Sequence, residues 1–145
     1  MISKTAEYAI RAMAALNQMC DGGLVGAGAL SKAIDVPSNY LSKIMHTLGR
    51  AGLVDSVRGP GGGFRVAHPA RRVTAYQIVQ LFDDLEGKRH CFLGNKACNA
   101  SHACAAHDMW SDVWDRYEDF LHRMTLDKLA PPLGTRTAGR KSSRK

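Results

Sequence analysis

The chain has 145 residues, a net charge of +7 and an apolar fraction of 45%, which suits one globular domain with an appendage. No apolar run approaches the ~20 residues that a membrane-spanning helix needs. The first residues, MISKTAEYAIRAM, lack the apolar segment of a secretory signal. We therefore expect a cytoplasmic protein with reduced cysteines and no membrane partner.

The charge is distributed unevenly along the chain. Residues 1–82 carry +5, residues 83–130 carry −3 and residues 131–145 carry +5. A basic amino-terminal body suits a polyanionic partner such as DNA. The polar, basic tail at 131–145 is predicted to be disordered and able to add nonspecific DNA affinity through counterion release.

The first half of the chain predicts three helices. Apolar residues at helical spacing after a capping Ser3 predict a helix over 3–20, and DGG ends it. A short helix is predicted at 28–35, and a second at 38–51 after the Val36-Pro37 break. Two short helices joined by a tight turn, the second with a polar and basic outer face, predict a helix-turn-helix.

The candidate DNA-binding residues lie on that outer face and in the segment after it. Short or basic side chains on the helix suit the hydrogen-bonding groups of the major groove. The tip RGPGGG, between extended segments at 53–57 and 64–66, predicts a β-hairpin wing whose arginine can enter the minor groove. The tip lacks the Gly-Lys-Ser/Thr ending of a phosphate-binding loop. The candidates are Asn39, Tyr40, Ser42, Lys43, His46, Arg50, Arg58, Gly59, Gly61 and Arg65.

The second half of the chain predicts two further helices. A capping box at Thr74-Ala-Tyr-Gln77 opens one, and a long helix is predicted from about Ala105 to Ala130, stopped by Pro131-Pro132. Apolar side chains recur along the long helix every three or four residues, as in a helix-packing seam. The seam residues are Trp110, Val113, Trp114, Tyr117, Phe120, Leu121 and Met124.

These elements predict a mainly α fold with a small β-hairpin wing. The chain divides into a winged helix-turn-helix domain at 1–86, a cysteine-rich loop at 87–107, a helix at 108–130 and the tail at 131–145.

Three of the four cysteines, Cys91, Cys98 and Cys104, lie close together in the polar loop. Thiolates are soft ligands that suit iron–sulfur clusters or zinc, and the spacing leaves both open. A fourth ligand is needed, and His107 is the nearest candidate. The other candidate histidines are His90 and His102.

Three functions are compatible with these features. The first is a DNA-binding transcription regulator controlled by an iron–sulfur cluster, and the second is a regulator of the same fold that uses thiol oxidation or zinc. The third is a small iron–sulfur electron-transfer protein, which would usually supply four cysteines of its own. No Ser/His/Asp or paired-carboxylate arrangement stands out, so we do not expect an enzyme.

Three stretches resemble the Rrf-type family of bacterial regulators, the IscR/NsrR group. They are TAEYAIRAM, the block NYLSKIMHTLGRAGLVDSVRGPGGGFRV, and the Cys91-x6-Cys98-x5-Cys104-x2-His107 segment followed by DMW. The resemblance covers about residues 1–130. The first cysteine interval is one residue longer than in the IscR pattern. Ser42 stands where IscR-like members carry a glutamate for base readout, so their operator preference is not transferred.

The resemblance implies a homodimer joined by the long C-terminal helix, which makes 108–130 the dimerisation helix. It implies binding to palindromic operators in double-stranded DNA, with the 38–51 helix in the major groove and Arg58 at the minor groove. It also implies a 2Fe–2S or 4Fe–4S cluster on the three loop cysteines, which senses iron–sulfur status, redox state or nitric oxide. The fourth ligand is His107 in the IscR-like pattern, which we favour, or Glu7 of the partner subunit in the NsrR-like pattern.

Overall fold

The computed structural model describes residues 2–96 and 98–129. Within these ranges a two-stranded antiparallel hairpin follows three α-helices and precedes a short 3-10 helix (Ala70–Arg72) and four more α-helices, and the predicted fold class is confirmed. None of the described helices is long and apolar enough to cross a bilayer. In chain order the elements are α1 (Lys4–Met19), α2 (Ala27–Ile34), α3 (Ser38–Arg50), β1 (Val54–Val57), β2 (Gly63–Val66), α4 (Ala75–Val79), α5 (Leu85–Lys88), α6 (His107–Arg123) and α7 (Leu126–Leu129).

Helices α1 to α3 form the predicted helix-turn-helix core. The Ser3 side chain accepts a hydrogen bond from the Ala6 amide at 3.1 Å and begins α1. Asp35 ends α2 in the left-handed conformation, and Pro37 turns the chain into α3. The apolar face of α3 packs on α1 and α2, and its buried residues are Leu41, Ile44, Met45 and Leu48.

The hairpin is attached to this core by a third extended segment. In β1 and β2, Asp55 pairs with Arg65, and the amide and carbonyl of Val25 exchange hydrogen bonds of 2.8 Å with those of Phe64. At the tip, a Cβ added to Gly62 would lie 2.2 Å from the Val57 carbonyl oxygen, so only glycine fits this tight return. The wing is therefore held at its base and closely folded at its tip.

The predicted long helix over 105–130 is wrong as a single element. Helix α6 begins at His107 and ends at Arg123, and Thr125 then pairs as a β-bridge with Thr74. The Leu126 amide donates to the Val73 carbonyl at 2.7 Å, and the Leu126 side chain is fully buried. These contacts replace the helical hydrogen bonds that the break removes. Pro131-Pro132 and the tail lie outside the described residues.

A second core joins α6 to the rest of the chain. The capping box of Thr74 and Gln77 opens α4 as predicted, but α4 ends at Val79 and a separate short α5 follows. Helix α4 packs between α1 and α6. The buried residues of this core are Ala6, Ala75, Val79, Leu85 and Leu121.

Candidate metal centre and nucleic-acid interface

The outer face of α3 and the wing share one groove. The groove is bounded by α3 on one side and by β1 with the wing on the other, so the two predicted DNA-reading parts lie side by side. Asn39 and Lys43, also on the outer face of α3, are exposed. The candidate DNA-binding residues that line the groove are Ser42, His46, Arg50 and Arg58.

Tyr40 differs from the other candidates on α3. Its hydroxyl is hydrogen-bonded to the Thr5 hydroxyl, and its ring meets the Tyr8 ring edge-on with centroids 5.7 Å apart. The residue is therefore half-buried, and its side chain contacts α1. Its position in sequence beside Asn39 and Leu41 gives no sign of this inward contact.

The two wing arginines have different surroundings. The Arg65 Nε lies 3.3 Å from the Asp55 carboxylate directly across the hairpin. No ion pair is described for Arg58, which is exposed at the edge of the groove. Gly59 and Gly61, with φ of 93° and 73°, adopt the positive dihedrals that let the backbone turn at the tip.

The structure brings the three loop cysteines together. The sulfur atoms of Cys91, Cys98 and Cys104 lie within 4.8 Å of one another, with 3.4 Å between those of Cys91 and Cys104. All three residues are half-buried. A cluster of three thiols with access to solvent is the donor set that a soft metal ion or an iron–sulfur cluster prefers, so the residues present fit such a group.

His107 touches this group from the first turn of α6. Its Nδ1 lies 3.4 Å from the Cys98 sulfur, and its amide donates to the Cys104 carbonyl at 3.0 Å. Glu7 instead forms an exposed ion pair with Lys4 at 3.1 Å and is not part of the described thiol group. Within one chain the geometry thus places His107, and not Glu7, beside the thiols.

The cysteines differ in their readiness to ionise. Burial disfavours the Cys91 thiolate, but hydrogen bonds from the Asn95 backbone and from the Cys104 thiol lower the Cys91 pKa to about 7. The pKa of Cys98 is raised: the Cys104 backbone favours the Cys98 thiolate, while burial and the neighbouring thiols oppose it more strongly together. Of Cys91 and Cys98, Cys91 therefore has the thiol that ionises more readily.

The predicted seam of α6 divides between two faces. One part packs within the chain, around Trp114 and Leu121, which are buried. The residues of that part are Trp114, Tyr117, Leu121 and Met124. Val113 and Phe120 are 48% and 50% exposed, and Met109 on the same helix is 78% exposed. Trp110 is directed to the cysteine loop, where its ring lies 5.3 Å from that of Phe92.

Sequence reasoning missed the residues that hold the loop to α6. The Trp110 indole N–H donates to the His90 carbonyl at 2.7 Å, and the Arg89 guanidinium pairs with Asp115 and Glu118. The sequence pattern places Trp110 in the packing seam and predicts no role for Arg89. The basic residue two positions before Cys91 was a visible signal, but its partners are more than twenty residues away.

Comparisons with known proteins agree with this architecture. Residues 2–132 match the Rrf2 family, described as iron-dependent transcriptional regulators. An HTH-type transcriptional regulator of Neisseria meningitidis is 35% identical over 123 residues, covering 84% of this chain and 82% of the relative. IscR of Pectobacterium carotovorum is 30% identical over 128 residues, covering 88% of this chain and 77% of its own.

Solved structures share the fold. CymR, the global cysteine regulator of B. subtilis, superposes with a TM-score of 0.75 at 23% identity, covering 90% of this chain and 95% of its own. IscR of T. potens superposes with a TM-score of 0.70 at 24% identity, covering 89% of this chain and 85% of its own. The oxidized form of Staphylococcus aureus CymR superposes with a TM-score of 0.71 at 25% identity, covering 93% of this chain and 99% of its own. From the family match over almost its whole length, this chain belongs to the Rrf2 family of helix-turn-helix, DNA-binding transcriptional regulators.

Proposed function

We propose that this chain controls transcription by binding operator DNA according to the state of an iron–sulfur cluster held by Cys91, Cys98 and Cys104. The observation that carries the proposal is the convergence of these three sulfur atoms within 4.8 Å. Similarity to a relative named IscR supports it. When bound, such a cluster supplies a redox centre, of the 2Fe–2S or 4Fe–4S type, whose potential depends on its ligands and their hydrogen bonds.

His107 is the fourth ligand in this proposal. Its Nδ1 already lies 3.4 Å from the Cys98 sulfur, and an imidazole nitrogen is a ligand known in iron–sulfur proteins. Glu7 is engaged by Lys4 at the surface of α1. A carboxylate from a partner subunit is the alternative, and replacing each residue separately distinguishes the two.

The DNA-reading part of the proposal rests on the groove between α3 and the wing. Ser42, Lys43 and His46 lie on the exposed face of a helix that the major groove can accommodate. Arg58 lies on the wing and lines the same groove as Ser42 and His46, and an arginine on a wing can enter a narrow minor groove. Arg50 at the end of α3 adds positive charge for phosphate contact.

The regulator acts as a homodimer in this proposal. Met109, Val113 and Phe120 form an exposed apolar stripe at helical spacing on α6. A two-fold dimer brings the same patch of both subunits together, so the occupant we propose for this stripe is the same stripe of a second copy. Two subunits would place two reading heads on a palindromic operator in double-stranded DNA.

The metal site and the reading heads are joined through α6. His107 begins the helix beside the thiols, and at the other end the chain is hydrogen-bonded to residues 73–75. Changes at the thiols, caused by iron–sulfur status, redox state or nitric oxide, thus bias the relative placement of the two heads. A coupling of about 1–3 kcal/mol would change operator affinity roughly 5–150-fold.

The test is anaerobic purification of the wild type, Cys98→Ala and Cys20→Ala. Cys20 lies outside the described thiol group, so its variant is a matched control. We expect a coloured wild type and a coloured Cys20→Ala with iron and acid-labile sulfide, and a colourless Cys98→Ala. An operator selected from random duplexes should bind differently to loaded and metal-free protein. A wild type that stays colourless after reconstitution contradicts the proposal.

A second candidate function is a regulator of the same fold whose cysteines sense thiol oxidation or hold zinc. The Cys91 and Cys104 sulfurs are 3.4 Å apart, which is close enough to form a disulfide after a small movement. The similarity to an oxidized form of CymR also favours it. Metal analysis separates the candidates, because one zinc per chain without sulfide, or no metal at all, points to this second chemistry.

A further inference from the structure

The residues on both sides of Cys91 are fastened to α6. Before it, the His90 carbonyl accepts a hydrogen bond from the Trp110 indole at 2.7 Å. After it, the Phe92 ring packs against the Trp110 ring with centroids 5.3 Å apart. Trp110 therefore contacts both chain neighbours of Cys91, His90 by a hydrogen bond and Phe92 by a tilted ring contact.

Arg89, one residue before His90, makes a second contact between the loop and α6. The Arg89 guanidinium pairs with Asp115 and, at 3.4 Å, with Glu118, which are on adjacent turns of α6. One guanidinium bridging two carboxylates three residues apart restrains both position and rotation of the backbone that leads to Cys91. These side chains are partly exposed, so the ion pairs add little to the free energy of unfolding and act mainly by restraining the backbone before Cys91.

Cys98 is held differently. The amides of Gly94, Cys98 and His102 close turns to Cys91, Asn95 and Asn99 within the loop itself. Cys104 in turn is joined to the start of α6, because its carbonyl accepts from the His107 amide. Helix α6 is thus a common base for the backbone around Cys91, Cys104 and His107, whereas the Cys98 backbone is held by a turn of the loop and its thiol contacts α6 only through His107.

We infer that Trp110 and Arg89 are positioning residues for Cys91: they fix its thiol relative to Cys104 and His107 before any metal binds. The inference rests on the proposed function, in which these thiols form a metal centre. Partners that orient metal ligands from outside the ligand set typically change metal affinity 10–100-fold when they are removed. The indole N–H, and not the ring alone, is the group that acts on the backbone next to Cys91.

The test is anaerobic titration of reduced, metal-free full-length protein with Co2+, followed by thiolate-to-cobalt charge-transfer absorption. Trp110→Phe removes the N–H but keeps a ring for Phe92, and Arg89→Gln removes the guanidinium. Arg123→Gln is the matched control, because Arg123 pairs with Asp119 within α6 and not with the loop. We expect about tenfold weaker Co2+ binding for Trp110→Phe, a smaller loss for Arg89→Gln and no change for the control, at unchanged helical content.

Two further measurements make the result specific. If Trp110 acts through Cys91, Trp110→Phe should weaken Co2+ binding in a Cys98→Ser background and have no added effect in a Cys91→Ser background. Affinity within twofold of wild type for both Trp110→Phe and Arg89→Gln, or an equal loss in the Arg123→Gln control, overturns the positioning role. A wild type without any thiolate–cobalt band overturns the metal centre itself, so the two failures are distinguishable.

Discussion

Asp83 accepts a hydrogen bond from the backbone amide of Ser3 at 2.8 Å, which joins the start of α1 to a residue eighty positions later. The Asp83 side chain is only 4% exposed and pairs with Lys88 of α5 at 3.2 Å. One buried carboxylate therefore joins the helix-turn-helix core to the segment that leads into the cysteine loop.

Replacing Asp83 should reveal a pH-dependent contribution to stability. Burial by itself raises the pKa of Asp83, but the Ser3 hydrogen bonds and the Lys88 ammonium outweigh it and lower the pKa. The stabilisation is therefore complete above the unfolded pKa of about 3.9 and is lost as the pH falls through the lower folded value. We expect Asp83→Asn to reduce the free energy of unfolding by about 1–3 kcal/mol at pH 7.

Urea denaturation at pH 7 and at decreasing pH measures this contribution. The difference between wild type and Asp83→Asn should shrink as the pH falls below 4. Asp112→Asn, an exposed carboxylate of α6, is the control and should stay within about 0.5 kcal/mol of wild type. A difference between wild type and Asp83→Asn that is independent of pH would contradict the charge-based explanation.

The two wing arginines should contribute unequally to DNA binding. Arg65 forms an ion pair with Asp55 at 3.3 Å, whereas no ion pair is described for Arg58. We expect Arg58→Ala to weaken operator binding by about 1–3 kcal/mol and Arg65→Ala by less, as measured by fluorescence anisotropy at several salt concentrations. If Arg58 contacts phosphate alone, Arg58→Ala should reduce the slope of log affinity against log salt concentration by about one on all DNA sequences. Equal losses of affinity for Arg58→Ala and Arg65→Ala would refute the distinction between the two arginines.

The wing tip should depend on the glycine at position 62. Because an added Cβ would lie 2.2 Å from the Val57 carbonyl, Gly62→Ala must displace the return of the hairpin. We expect operator affinity to fall at least tenfold while metal content stays unchanged. Gly23→Ala is the matched control, since nothing lies within 4 Å of its added Cβ. An unaltered affinity for Gly62→Ala would mean that the tip does not contact DNA.

The exposed stripe of α6 should determine the oligomeric state. Phe120→Asp places a charge in an apolar contact between copies, so we expect a monomer in sedimentation velocity and at least tenfold weaker binding to a palindromic operator. Leu93→Asp alters another exposed apolar side chain, on the cysteine loop, and should leave the sedimentation coefficient unchanged. A dimeric Phe120→Asp would reject the stripe as the interface.

Oxidation of the metal-free protein tests the second candidate function. Because the Cys91 and Cys104 sulfurs lie 3.4 Å apart, diamide should link these two residues in preference to Cys98 or Cys20. Peptide mapping by mass spectrometry identifies the bond, and Cys104→Ser should abolish it. Random pairing among the four cysteines would show that the structure's short contact does not direct the chemistry.

Local signals predicted most of the fold. A capping serine, a proline break and an apolar stripe set α1 to α3 within a residue or two, and the glycine-rich tip marked the wing. The end of α6 was not predictable, since Thr125 pairs with Thr74 and Leu126 fills a pocket beside Val73, both about fifty residues earlier. The periodicity of the sequence continues through this point, but a tertiary contact interrupts the helix.

The site shows the same division between local and tertiary information. Cys91, Cys98 and Cys104 were identified because thiols are rare and their spacing is short. The inward turn of Tyr40 and the hydrogen bond of Trp110 depend on partners that no local pattern names. Both residues are aromatic side chains with a polar group, whose partner is decided only by the folded surroundings.

The β-bridge between Thr125 and Thr74 joins the end of α6 to the start of α4, which itself packs on α1. Because α6 is joined in this way at its C-terminal end and also packs against α4, it is not a free arm. If α6 crosses its counterpart in a dimer as proposed, a rotation at that crossing would move the two groove-reading surfaces relative to each other. Operator spacing, more than the strength of any single base contact, would then be the quantity that the thiol centre controls.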